Sequence, residues 1–116
     1  MAAPGYLDIF IHQGATFNTA ITLTDVNNSP MNLANLTVSS IIKKSYITSN
    51  VAATFTVSKT NVGGGVVTLT LPYHTTANLL PRRYVYDVVT FDSSSNTVNR
   101  ILEGTAYLIP GTTIVP

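Results

Sequence analysis

Val67, Leu69 and Leu71 fall on one side of an extended chain, while Val66, Thr68 and Thr70 fall on the other. Period two over such a run belongs to a half-buried β-strand, because successive side chains of a pleated strand point to opposite faces. Residues 17–24 repeat the pattern: Phe17, Thr19, Ile21 and Leu23 share a face opposite Asn18, Thr22 and Thr24. Thr, Val, Ile, Tyr and Phe dominate the rest of the chain, and these are the strand-favouring types.

Turn chemistry divides the remaining sequence. Residues 7–11 form a short strand that ends at Gln13-Gly14. Asp25-Val26-Asn27-Asn28-Ser29-Pro30 reverses the chain, since Asn tolerates positive φ while Asp and Ser bond locally to the backbone. Residues 38–43 make a third strand, and 53–59 a fourth with Phe55 and Val57 on one face. Gly63-Gly64-Gly65 connects this fourth strand to 66–71 as a hairpin. Pro72 stops the fifth strand, and Thr75-Thr76-Ala77-Asn78-Leu79-Leu80 is a helical turn with Thr as its cap, limited by Pro81. Residues 84–91 are apolar on both faces, which predicts a central strand. Asp92-Ser93-Ser94-Ser95-Asn96 turns the chain into a long final strand, 98–109, where Gly104 marks a bulge or a close backbone approach. About seven short strands at this spacing predict an all-β, antiparallel sandwich of immunoglobulin-like size. The antibody Cys-Trp-Cys core is absent, so only the architecture is implied. One domain over 1–116 is expected, with extended arms at about 1–5 and 111–116.

The balance of charge narrows the function classes. The net charge is +1 and only 9% of residues are charged, against roughly 25% in ordinary soluble domains. Thr, Ser and Asn fill about a third of the chain instead. So even a balance predicts no nucleic-acid partner, and no apolar run reaches the ~20 residues of a membrane span. The beginning, Met1-Ala2-Ala3-Pro4-Gly5, does not read as a secretory signal. A surface this poor in charge is either a set of Thr-rich strand faces or one covered by neighbouring subunits. The second is favoured, because self-association is the expected cost of such a surface in a free monomer. Residues 112–116, Thr112-Thr113-Ile114-Val115-Pro116, are apolar for a free tail, which favours docking on a neighbour.

Catalytic constellations are sparse. His12 lies two residues from Phe10 and four from Asp8, so all three share a strand face, but no nucleophile motif accompanies them. His74 has no local co-ligands for a metal. Asp87 and Glu103 approach each other if their strands pair, yet an ion pair of Arg100 or Arg82 with Asp87 or Glu103 is the favoured arrangement. The triple glycine has no following Lys-Ser/Thr and joins two strands, so it is not a phosphate loop. Tyr84, Tyr86, Phe91 and Tyr107 would form a carbohydrate platform if exposed, and core or interface residues otherwise. No enzyme, cofactor, metal or small-molecule substrate is predicted.

The order of motifs resembles the small immunoglobulin-like domains of tailed-bacteriophage virions, such as the N-terminal domain of the upper baseplate protein and related tail, neck and capsid-associated modules. The resemblance rests on Ile11-His12-Gln13-Gly14-Ala15-Thr16-Phe17, Ile21-Thr22-Leu23-Thr24-Asp25, Ser29-Pro30-Met31-Asn32-Leu33 and Val38-Ser39-Ser40-Ile41-Ile42-Lys43. It continues through Gly65-Val66-Val67-Thr68-Leu69-Thr70-Leu71, Leu80-Pro81-Arg82-Arg83-Tyr84-Val85-Tyr86-Asp87-Val88 and Ile101-Leu102-Glu103-Gly104-Thr105-Ala106-Tyr107-Leu108-Ile109-Pro110. Ala15 stands where the family has an acidic residue, and Pro81-Arg82-Arg83 where it has a Gly-x turn.

The resemblance implies a non-enzymatic virion structural protein, assembled in the bacterial cytoplasm. It would bind other virion proteins as a tail, baseplate or neck component and form a homo-oligomer in the particle. A capsid cement protein contacting major capsid subunits is the alternative, and a carbohydrate- or receptor-binding module a second one. Tyr6, Leu7, Thr112, Thr113, Ile114, Val115 and Pro116 are the expected subunit contacts. Gly14 is expected to permit the bend between the first strands, Leu33 and Leu36 to plug one end of the sandwich, and Tyr86 to turn its ring inward and its hydroxyl to an edge.

Overall fold

A computed structural model describes residues 5–25, 27, 29–45, 47, 48 and 50–112. Nine strand segments and one short helix follow in order: β1 Gly5–Tyr6, β2 Ile9–His12, β3 Phe17–Thr22, β4 Leu36–Lys43, β5 Val51–Thr54, β6 Thr56–Asn61, β7 Val66–Leu71, α1 Tyr73–Asn78, β8 Arg83–Asp92 and β9 Thr97–Ile109. One sheet runs β9-β8-β4-β5, with β1 and β2 on the outer edge of β9; the other runs β3-β7-β6. The two sheets close on a core in which Ile9, Ile42, Tyr86 and Val88 of the larger sheet meet Ile21, Val67, Leu69 and Leu71 of the smaller. Each such aliphatic side chain removed from water contributes roughly 1.5–3 kcal/mol.

This is an immunoglobulin-like β-sandwich, and a local signature supports the architecture. Tyr84, the second residue of β8, stands at the corner that follows α1, and its hydroxyl donates back to the Leu80 carbonyl at 2.7 Å. A tyrosine at that corner, bonded a few residues upstream, is a hallmark of the fold. Two residues on, where antibody domains place a cysteine, Tyr86 fills the core, with Phe55 edge-on at 6.3 Å.

Several expectations hold in detail. Val67, Leu69 and Leu71 are fully buried while Val66, Thr68 and Thr70 are half-buried on the outside, as the alternation requires. The apolar strand β8 is central, flanked by β4 and β9. Gly14 adopts φ 82°, the left-handed region that glycine enters without strain. Leu33 is fully buried and Leu36 partly so.

The backbone departs from the sequence reading at three places. First, the expected strand over 7–11 is kinked at Leu7-Asp8, and β1 and β2 both lie parallel to β9, so this edge of the sheet is not antiparallel. Gly5, expected in the extended N-terminal arm, pairs with Leu102. Second, the expected strand 53–59 changes sheets. Ala53 pairs with Ile42 in one sheet, Val57 with Leu69 in the other, and buried Phe55 forms the crossing while its N–H still donates to Ser40. Strictly alternating Ala-Thr-Phe-Thr-Val reads alike on both sides of such a crossing. Third, the helical turn starts at Tyr73 with Pro72 as its cap, and no side chain caps it. Thr76, expected near the cap, is instead buried and holds the Gly14-Ala15 turn. Of the two roles expected for Gly104, the close backbone approach is the one found, against Leu7; the bulge in β9 falls opposite Val88/Val89.

Candidate subunit-docking surface

The side chains that alternate outward from the larger sheet form the candidate surface. In β2, Ile9 and Ile11 point into the core, so Phe10 and His12 point out. Phe10 registers with Tyr107 of β9, and Tyr107 with Arg83 of β8, giving an aromatic-to-basic row across three strands. The Phe10 and Tyr107 rings stack at 5.2 Å with an interplanar angle of 13°, leaving Phe10 57% exposed. Tyr6, 65% exposed, bonds the Thr105 hydroxyl at 3.0 Å. Val98 and Leu7 are also exposed apolar groups.

Further along the same face, Asp87 and Glu103 are register partners, and Arg100 donates to Asp87 at 3.1 Å. This is the favoured ion pair; Arg82 instead stands over the Tyr84 ring. Being largely exposed, the Arg100–Asp87 pair stabilises the sheet by at most ~1 kcal/mol. A shallow recess of about 90 Å³ separates it from Ile41, Lys43 and Val85. The outer face of the smaller sheet is different in kind. Asn18, Thr60, Thr68 and Thr70 bond one another there, as in the Asn18–Thr70 contact at 3.1 Å. The Thr-rich faces weighed against a covered surface therefore belong to one sheet only.

The edge that carries Tyr6 and Leu7 is held by three hydrogen bonds. The Leu7 N–H donates to Glu103 at 2.9 Å, and the Leu7 carbonyl accepts the Tyr86 hydroxyl. Asp8 accepts the Thr105 N–H at 3.2 Å, supplying a side-chain oxygen where the kink interrupts the backbone ladder. Burial raises the Tyr86 phenol well above its usual range, reinforced by the nearby Asp8 carboxylate and by Tyr6. At the other terminus, Gln13 donates to the Leu79 carbonyl at 3.0 Å and accepts the Gly111 N–H at 3.2 Å. That side chain fixes where the chain leaves the sandwich. Thr112 is exposed beside it. The other expected contacts, Thr113, Ile114, Val115 and Pro116, lie outside the described residues, as does most of the expected N-terminal arm.

The constellations tested for chemistry do not converge. His12 is exposed on the strand face with Phe10, whereas Asp8 is engaged with Thr105. His74 sits on exposed α1 against the Tyr73 ring. Among the described residues no cluster of three metal-ligating side chains occurs. Tyr84 and Tyr86 are buried, which withdraws the carbohydrate platform in the form expected. Phe10 is an exposed aromatic of this face that the sequence reading did not single out. The alternation Ile9-Phe10-Ile11-His12 was the available signal, since two inward isoleucines force Phe10 outward.

No family model matches the chain, and no curated protein matches it. Similar solved structures include InlP of Listeria monocytogenes, at 18% identity and a TM-score of 0.45 over 93% of this chain. The chain spans 27% of the length of InlP. The Lin-41 filamin domain is 15% identical over 79% of this chain and 81% of its own, with a TM-score of 0.39. A family 123 glycoside hydrolase from Clostridium perfringens is 10% identical over 97% of this chain and 24% of its own, with a TM-score of 0.38. The phage resemblance rests on motif order in the sequence.

Proposed function

We propose that this chain is a non-enzymatic structural subunit of a tailed-bacteriophage virion, binding neighbouring virion proteins as a tail, baseplate or neck component. The observation that carries the docking role is the outward face of the larger sheet, where Tyr6, Phe10 and Val98 remain exposed on a domain with few charges. Aromatic residues and arginine, here Phe10, Tyr107 and Arg83, are the types enriched at protein interfaces. Sheet-edge strand β2 also leaves backbone groups open to strand addition. The phage assignment rests on the motif order described above.

The test is purification of native particles followed by peptide mass spectrometry and imaging. The chain is expected in stoichiometric amounts at the tail, neck or baseplate. Copies spread over the head shell would replace that position with the cement role, and absence from every particle would overturn the reading. A chain truncated before Thr112 is expected to fold normally and to enter particles less efficiently. Undiminished incorporation would remove the C-terminal segment from the docking surface.

A further inference from the structure

Six lysines and arginines serve the whole chain, and Lys43, Lys44, Arg82 and Arg83 stand together at one end of the larger sheet. The β4 end delivers the lysines and the β8 start delivers the arginines, because Lys43 registers with Val85. Between them lies an open cleft of about 530 Å³ lined by Lys44, Ser45, Arg82, Arg83 and Val85. Among the described residues no carboxylate lines it, and Asp87, on the same sheet face, is already bonded to Arg100. The arginines are set on rigid backbone: the Arg82 carbonyl accepts the Leu108 N–H at 3.0 Å. The Arg82 side chain is itself positioned, with its guanidinium 5.5 Å from the Tyr84 ring centroid and its Nε donating to the Arg83 carbonyl at 3.1 Å. A preset guanidinium loses less conformational freedom on binding.

We infer that this cleft binds a carboxylate-bearing segment of a neighbouring protein, with an apolar residue of the same segment against the Phe10–Tyr107 stack. The inference rests on the subunit-docking reading. Two observations select a protein segment over a nucleic acid. The remaining cations do not extend the cleft into a track: Lys59 donates to the Leu36 carbonyl at 2.8 Å on the other sheet, and Arg100 is paired with Asp87. A phosphate backbone is followed along a positively charged groove, whereas this positive field is confined to one bowl. The row Phe10–Tyr107–Arg83 then leads from an apolar ledge to that bowl, which suits a chain carrying both an apolar and an acidic side chain. Arginine's planar fork matches a carboxylate in a bidentate geometry.

The test is a titration of the isotope-labelled full chain with a short synthetic peptide, a phenylalanine followed by a run of glutamates, monitored by NMR. Amide shifts are expected at Ser45, Arg83, Val85 and Tyr107. The double variant Lys44→Gln/Arg83→Gln is expected to weaken binding at least tenfold, while Lys59→Gln, which removes equal charge per site elsewhere, leaves it within roughly twofold. Equal affinity of the double variant and the parent would overturn the inference. So would tighter binding of an oligothymidylate through the same amides. Peptide binding at the cleft by a chain absent from particles would refute the virion reading alone. Particle incorporation without any peptide binding would refute the cleft alone.

Discussion

Tyr86 and Gly104 are register partners across β8 and β9, and the space above Gly104 is occupied by the Leu7 carbonyl that accepts the Tyr86 hydroxyl at 2.5 Å. A core residue thereby fixes an edge segment that carries two candidate contacts, Tyr6 and Leu7. Tyr86→Phe keeps the ring and removes the bond, leaving a carbonyl without its partner. We expect a loss of about 1–3 kcal/mol in urea denaturation. Hydrogen exchange is expected to accelerate at the Leu7 and Thr105 amides before it changes in β7. Uniform acceleration across both sheets would show that the bond does not act locally on this edge.

Gly104→Ala tests the same junction by volume. A Cβ built there would lie 1.9 Å from the Leu7 oxygen, and that neighbour is backbone, which cannot rotate away. The β1–β2 segment must lift from β9 or the variant must lose stability by more than ~3 kcal/mol. In the first outcome the NMR signals of residues 5–8 shift while those of β3 and β7 stay in place. A variant with parental stability and unchanged signals would contradict the close approach.

Thr76 is fully buried, and its Oγ1 accepts the Gly14 N–H at 3.1 Å while lying 2.9 Å from the Ala15 oxygen and 3.0 Å from the Tyr73 oxygen. One hydroxyl thus ties the bend after β2 to the short helix α1. Thr76→Val preserves the shape and strands these polar groups. The expected cost is about 2–3 kcal/mol, read from the shift in the urea midpoint at unchanged m-value. A cost below the error of the measurement would mean that water replaces the hydroxyl.

Strands with strict alternation were legible, because burial of one face leaves only one register: β3 and β7 follow from Phe17 to Leu71 without exception. The central place of β8 followed from apolar residues on both of its faces. The sheet change at Phe55 was hidden, since alternation continues through the crossing and only tertiary pairing decides which sheet each half joins. The kink at Leu7-Asp8 was equally hidden. It depends on the missing side chain of Gly104, 97 residues along the chain from Leu7, and on the reach of the Tyr86 hydroxyl. Tyr6 and Leu7, the expected contacts near the N-terminus, stand exposed, whereas the basic cleft was not legible in the sequence. Its members come from residues 43–44 and 82–83, and only the β4–β8 pairing brings them together.

Buried phenols make the domain sensitive to alkali. Burial raises the Tyr86 phenol strongly and, to a lesser extent, that of Tyr84, where Arg82 and the Leu80 hydrogen bond oppose the shift. An unfolded tyrosine ionises near pH ~10. Below that value both states keep the proton, and the stabilisation is fully present. Above it the unfolded chain releases protons that the folded chain retains, so stability falls as pH rises toward the folded-state values, by up to ~1.4 kcal/mol per pH unit for each phenol. Urea midpoints are therefore expected to be flat up to about pH 9.5 and to decline above. Tyr86→Phe starts from a lower midpoint and declines less steeply, because one ionising group is gone. Parallel declines in the parent and in Tyr86→Phe would assign the alkaline loss to other groups and separate Tyr86 from it.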